Sequence, residues 1–436
     1  MAAAGAATRK LFGTDGVRGV AGEFLSAELS LALARAATAR VQGRTPARVL
    51  VIRDTRESGA MLEAAVAAGI AAAGGEALLG GVLPTPAAPL LVQRRGYDLA
   101  VVLSASHNPF QDNGIKFFGG DGFKLDDATE LEIESLIEEH PPAPRVGTIR
   151  RVDGALAHYL EALQERFEAL DLRGRRLVLD CANGATYEAA PRIFRQLGAD
   201  VTVTAAEPNG RNINAGCGST HLDHVRAEIA GHDAAFAFDG DGDRVLAVDR
   251  TGTVVDGDEL IALAAEHLDV DGVAVTVMTN FGFHQAMAAR GVEVATTPVG
   301  DRYVLEALRE RSWRLGGEQS GHIIDMAFVP SGDGIAAALL AMEALGSGDL
   351  HERHAMEKLP QRLLNVRVRD RGALDAAAAV HAAVEREAAA LKGRGRVLLR
   401  PSGTEPLIRV MVEAPTMAEA EDVSARLAAL VESALT

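Results

Sequence analysis

One supersecondary unit, written three times, constrains this fold more than any other feature of the sequence. It runs VLVIRDTRESGAMLEAAVAAGIAAAGGEALLGG from Val49, LVLDCANGATYEAAPRIFRQLGADVTVTA from Leu177, and VAVTVMTNFGFHQAMAARGVEVATTPVG from Val273. Each copy is an apolar β-branched run, a polar loop, an amphipathic helix, a glycine and a second strand. That order predicts βαβ units in mixed or parallel sheets. Gly74, Gly198 and Gly291 fall where a helix end wants positive φ. The copies lie too far apart for a solenoid, so they predict three related α/β domains. A spacer with Pro141, Pro142 and Pro144 closes the first, and the polar turn Asp249–Gly252 parts the second from the third. From Asn365 the pattern changes to a strand, an alanine-rich helix over 373–390, two more strands and a last helix, a smaller α+β domain. The expected domains are 1–150, 151–252, 253–364 and 365–436.

The chain's 436 residues suit such a division, and 48% hydrophobic against 24% charged residues is the balance of a chain that buries a sizeable core. A formal charge of -16 argues against nucleic-acid or anionic-membrane partners, while leaving room for a local basic pocket. Cys181 and Cys217 make neither a disulfide framework nor a zinc pattern, so a reducing cytoplasm is expected. No stretch reads as a membrane span or secretory signal, and the residues before Leu11 read as a tail.

Four segments carry candidate chemistry. In LSASHNPFQDNGIKFFG (103–119) a buried strand ends at Ser104 and Ser106, where α/β sheets place ligand sites, and Lys116 can return to the same place. A polar turn capping a helix is the plainer reading of that segment alone, and no nucleophile elbow surrounds either serine. In FAFDGDGDRVLAVD (236–249) Asp239, Asp241 and Asp243 sit between apolar strands, and three carboxylates so close call for a cation, with Mg²⁺ suiting an all-oxygen set. An EF-hand fails, since its glycine would fall on Arg244 and its glutamate on Arg250. LGGEQSGHI (315–323) offers Glu318, Gln319, Ser320 and His322 for sugar hydroxyls, or forms a polar hairpin loop. LLRPSGTEPLIRV (398–410) gathers Arg400, Ser402, Gly403, Thr404 and Arg409 as a phosphate cradle. GDGIAA (332–337) opens a helix rather than a dinucleotide site, and no Walker motif occurs.

Taken in order, FGTDGVRG (12–19), SASHNP (104–109), DGDGDR (239–244), GGEQSGH (316–322) and RPSGTEP (400–406) resemble the α-D-phosphohexomutases, and more closely the phosphoglucosamine mutases among them. The resemblance covers the chain from Leu11 onward. It implies three similar mixed-sheet domains and a smaller fourth around a central cleft. It also implies Ser106 as the phosphoserine, with Ser104 excluded, and one Mg²⁺ on Asp239, Asp241, Asp243 and a phosphoserine oxygen. Lys116 and His322 become the acid/base partners, His107 a further catalytic residue directly after the reacting serine, and Arg18 and Arg244 the neutralising cations. Glu318 and Ser320 would bind sugar hydroxyls, and Arg400, Ser402, Gly403, Thr404 and Arg409 the unreacting phosphate. The implied reaction interconverts glucosamine 6-phosphate and glucosamine 1-phosphate through a 1,6-bisphosphate, which also serves as activator, for amino-sugar nucleotide and cell-wall synthesis. A phosphomannomutase/phosphoglucomutase is the rival within the class, and a sugar-phosphate phosphatase the rival outside it. Gln319 favours the glucosamine reading. Lys116 would need a depressed pKa to act as a base. A homodimer is implied as well.

Overall fold

The computed structural model describes residues 10–13, 15–43, 45–139, 143, 145–401 and 406–435. The tail before Leu11 lies outside these residues apart from Lys10, and so do Pro141, Pro142 and Pro144 of the expected spacer. The chain divides into two compact units, one of residues 1–277 and 294–353, the other of residues 278–293 and 354–436.

The larger unit is built on three sheets. The first has six strands, in the order Val17–Val20, Asp112–Gly119, Leu99–Leu103, Arg48–Arg53, Glu76–Val82 and Thr148–Arg151. Its last four strands run parallel and its first two antiparallel to their neighbours. Val49, Val51, Leu99, Val101 and Leu103 are buried with Leu33, Val66 and Ile70 from the covering helices. Continuous apolar runs are what a sheet covered on its faces requires, each such side chain contributing about 1.5–3 kcal/mol. The second sheet orders Val254–Val255, Val245–Asp249, Ala234–Phe238, Arg176–Asp180 and Asp200–Thr204. The third orders Glu293–Thr297, Gly272–Thr276, Leu315–Gly317 and Ile323–Asp325. The three repeated units thus form the expected α/β elements, with Gly74, Gly198 and Gly291 at φ of 87°, 100° and 74°.

The turn at Asp249–Gly252 is a hairpin inside the second sheet, because Val254–Val255 pairs back on Ala247 and Val248. Asp249 Oδ1 shapes it by accepting from the Thr251 and Thr253 amides. Past it, Asp256 caps the helix Gly257–His267 in a capping box with Glu259.

The smaller unit holds an antiparallel sheet of Gln361–Arg367, Leu407–Glu413 and Arg396–Pro401, with the helices Ala378–Ala390 and Met417–Leu435. Its first strand begins ahead of the expected Asn365, and the expected helix over 373–390 is a 3₁₀ turn, Arg371–Ala376, followed by the helix proper. The helix Phe281–Arg290 groups with this unit. Its Phe281 amide donates to fully buried Glu413 (2.7 Å), which also pairs with Arg396 (2.8 Å). Among the described residues no helix is long and apolar enough to cross a membrane.

Candidate active site

The strand Leu99–Leu103 carries the chain into Ser104–Asn108 at its C-terminal end. Ser106 is buried and adopts φ 50°, a left-handed backbone uncommon for a residue with a Cβ. Its Oγ donates to Asp239 Oδ2 at 2.5 Å. Asp239 opens the loop between the antiparallel strands Ala234–Phe238 and Val245–Asp249. One carboxylate oxygen from each of Asp239, Asp241 and Asp243 lies within 4.8 Å of the others, and all three residues are buried.

This cluster fits a hard divalent cation. Asp241 Oδ2 accepts from Thr85 Oγ1 (2.7 Å) and Lys116 Nζ (2.9 Å), yet Asp241 Oδ1 and Asp243 Oδ1 are buried without a hydrogen bond. Burial together with the carboxylates of Asp243 and Asp241 raises the Asp239 pKa well above the usual range. Burial acts the same way on Asp243, but His322, Lys116 and Arg244 outweigh it and hold that carboxyl low. Asp15, Asp301 and Glu318 join the trio around the site, interleaved with Arg18, Lys116, Lys124 and Arg244.

Lys116 comes from the strand Asp112–Gly119, paired with Val102. Burial would lower its pKa, but Asp15 (3.1 Å), Asp241 (2.9 Å) and Asp243 (3.9 Å) reverse the effect and raise it far above the ordinary value. The depressed pKa expected from the sequence is therefore corrected. Lys116 is held as an ammonium because three carboxylates solvate it in place of water.

Arg18 pairs with Asp15, and Arg244 Nε lies 3.8 Å from Asp243 Oδ1. The Nε of each arginine is buried and makes no hydrogen bond. His107 lies at the edge of the site, with Nδ1 3.4 Å from both Ser106 Oγ and Arg244 Nη1; partial desolvation of its ring and the charges of Arg244 and Arg18 lower its pKa. The hairpin Leu315–Gly317/Ile323–Asp325 delivers Glu318 and His322. Glu318 Oε1 accepts from the Gly300 amide (3.1 Å), and Ser320 is exposed at the hairpin tip. The Gly332 amide donates to His322 Nε2 (3.1 Å), leaving the Nδ1 proton of the neutral ring facing Asp243 at 3.6 Å. Burial works against protonation of His322, but Asp243 and Asp301 outweigh it and raise the pKa.

Arg18, Ser106, Asp243, Arg244, Glu318 and His322 line one cavity of about 370 Å³, together with Asp15 and Asp301. Arg400 and Arg409 belong to the smaller unit, where they lie directly opposite each other on adjacent strands. Burial and the charge of Arg409 lower the Arg400 pKa. Ser402, Gly403 and Thr404 lie outside the described residues.

Sequence reasoning missed several residues at this site. Asp15 and Lys124 make a 2.5 Å ion pair, and Lys124 makes another with Asp301. Asp54, Arg56 and Asn214 hold the Ser106 loop. Asp15 lay inside a motif already noted, and Asp54 and Arg56 in the loop of the first repeat. Nothing local marked Lys124 or Asn214.

The geometry agrees with comparisons to known proteins. Descriptions of the phosphoglucomutase/phosphomannomutase domains match in succession: alpha/beta/alpha domain I at residues 9–143, domain II at 157–252, domain III at 256–363 and the C-terminal domain at 363–430. Phosphoglucosamine mutase of Mycobacterium tuberculosis is 50% identical over 98% of this chain and 99% of its own. That of Deinococcus deserti is 48% identical over 98% of each. Among solved structures, a phosphoglucomutase/phosphomannomutase family protein of Burkholderia thailandensis superposes with a TM-score of 0.83 at 23% identity, covering 98% of both chains. An Aspergillus fumigatus N-acetylphosphoglucosamine mutase, solved with GlcNAc-6P and magnesium, gives 0.66 at 19% identity, covering 98% of this chain and 96% of its own. With four consecutive domain matches and relatives of this identity over almost its whole length, the chain belongs to the phosphoglucomutase/phosphomannomutase family.

Proposed function

We propose that this chain is a phosphoglucosamine mutase, interconverting glucosamine 6-phosphate and glucosamine 1-phosphate with Ser106 as the phosphorylated residue. Within a family whose near relatives carry that activity, the observation that carries the assignment is Ser106 Oγ, 2.5 Å from a buried carboxylate trio with two oxygens that make no hydrogen bond.

In the first half-reaction the P–Oγ bond of phosphorylated Ser106 breaks and a P–O1 bond to the sugar forms, giving a 1,6-bisphosphate. The O1 proton is lost and one proton is gained by Oγ, so no net acid or base is consumed. After the sugar turns round, the 6-phosphoryl group returns to Ser106 by the same exchange. Asp239, Asp241 and Asp243, with a phosphoserine oxygen, would hold one Mg²⁺. When bound, that ion would supply charge neutralisation at the serine oxygen and its phosphoryl group.

The protein's own groups do the rest. Phosphoryl transfer passes through a loose transition state, so position and charge matter more than a strong base. Arg18 and Arg244 face the transferring oxygens with forked donors, and the neutral His107 ring, whose Nδ1 accepts from Arg244, lies beside Oγ. Lys116, held as an ammonium, gives its proton to the departing Oγ and recovers one from the sugar hydroxyl. His322 is its partner across Asp243. Glu318 has one oxygen on Gly300 and its other for a sugar hydroxyl, with Ser320 beside it. Arg400 and Arg409, with Ser402, Gly403 and Thr404, would take the phosphate that is not reacting.

The test is phosphorus NMR of glucosamine 6-, glucose 6- and mannose 6-phosphate, each with Mg²⁺ and catalytic bisphosphate. Conversion of the glucosamine ester well ahead of the others is expected, and its loss in Ser106→Ala. Preference for glucose or mannose would refute the substrate, and inorganic phosphate from all three would make the chain a phosphatase.

A further inference from the structure

Ser104, two residues ahead of Ser106, is fully buried and belongs to a closed ring of hydrogen bonds. The Ser106 amide donates to Ser104 Oγ (3.0 Å), and Ser104 Oγ donates to Asp54 Oδ2 (2.6 Å). Asp54 Oδ2 accepts from Arg56 Nε (2.9 Å), and Arg56 Nη2 closes the ring on the Ser106 carbonyl (2.9 Å). Arg56 is 1% exposed, and the same nitrogen reaches the Asn108 carbonyl (2.9 Å) while Nη1 reaches that of Pro109. From the second domain, Asn214 Nδ2 donates to the Ser106 and Asn108 carbonyls at 2.9 and 3.1 Å. The approach is tight enough that a Cβ on Gly240 would meet the Ser106 carbonyl oxygen at 2.6 Å and Asn214 Nδ2 at 2.7 Å.

Both polar backbone groups of Ser106 are thus tied by side chains. A serine at φ 50° persists only where its surroundings over-determine it, and here they do. The mutase cycle explains the need. The sugar presents first O1 and then O6, so the fixed member of the reacting pair is Oγ, which must keep one direction through both transfers. We propose that Asp54, Arg56, Ser104 and Asn214 form a positioning ring that locks the Ser106 backbone and aims Oγ for both phosphoryl transfers. The ring acts through Ser106 without touching substrate. The inference rests on Ser106 carrying the phosphoryl group.

The experiment uses the full chain with Ser104→Ala, Asn214→Ala and the pair together. Ser104→Ala cuts the tether on the amide, and Asn214→Ala, at a site nearer the surface, cuts one on the carbonyl. For each, kcat and KM for glucosamine 6-phosphate are measured with catalytic bisphosphate, alongside the phosphorus resonance of the phosphorylated enzyme and Tm. A fall in kcat of about 10- to 100-fold is expected in each single variant, with KM within about twofold. The phosphoserine line should shift or broaden. The double variant should lose less than the product of the two, because both tethers serve one residue. A kcat within about twofold of wild type in both single variants, or an unchanged phosphorus line, would overturn the ring. A wild-type chain inactive on glucosamine 6-phosphate, or an active Ser106→Ala, would instead remove the reading beneath it.

Discussion

Replacing Lys124 by methionine isolates one electrostatic knot. Lys124 Nζ lies 2.5 Å from Asp15 Oδ1 and 2.5 Å from Asp301 Oδ2, so the two carboxylate oxygens it separates are at most about 5 Å apart. Without the ammonium, two unit charges at that distance repel by about 3 kcal/mol at an effective dielectric of 20. The side chains of Lys124, Asp15 and Asp301 are each only about a fifth exposed, which places the loss nearer that of a broken buried pair than of a surface one. A loss of about 2–4 kcal/mol follows, and it depends on pH. In the native protein burial raises the Asp301 pKa but Lys124 and His322 outweigh it; Asp15 is likewise held low by Lys116, Lys124 and Arg18. Depressed carboxyls stabilise the fold above their unfolded pKa, and that contribution is lost as pH falls through their folded values. Lys124→Met moves both pKa values up, so the variant's penalty is full at pH 8 and shrinks on acidification as the carboxyls protonate. Tm of both proteins across pH 3–8, without metal, reads this directly. A deficit independent of pH, or none at all, would refute the reasoning.

Three further outcomes are expected. Mg²⁺ added to chelator-treated protein should raise Tm, by about 2.7 kcal/mol of stability at a hundredfold excess over Kd, and should do so far less in Asp241→Asn; an equal response from both would remove the aspartate site. Asp333 caps the helix Gly334–Leu345, accepts from the Tyr159 hydroxyl, and is pushed up to about 6 by burial. A raised carboxyl contributes stability that is lost as pH rises through its folded value, so Asp333→Asn should flatten unfolding stability between about pH 4 and 6; an unchanged slope would refute it. Burial pushes the Cys181 thiol up to about 12 and the Cys217 thiol up to about 11, so neither should react with a thiol reagent at pH 8 until denaturant is added; native labelling would contradict this.

What the sequence could and could not reveal follows from the range of each interaction. Strands such as Leu99–Leu103 and Ala234–Phe238 declare themselves through unbroken apolar runs, and Gly74 or Gly198 through the backbone a helix end demands. Ser106 and the aspartates stood out because their chemistry is crowded into a few neighbouring positions. Arg56 meets Ser106 across 50 residues and Asn214 across 108, and no local pattern encodes such distances. Lys116 was recognised as near the site, but its pKa depended on Asp15 and Asp241, remote in sequence, so the expected direction was wrong. The helix Phe281–Arg290 follows the βαβ rhythm, while its tie to Glu413, 132 residues away, had no local signal.

The facing arginines of the smaller unit have a consequence beyond recognition. Arg400 and Arg409 are cross-strand partners, so their like charges oppose the pairing of the strands that carry them. Under the proposed phosphate-binding role, an anion held between them would turn that opposition into attraction, so the stability of the C-terminal sheet would rise with phosphate-ester concentration.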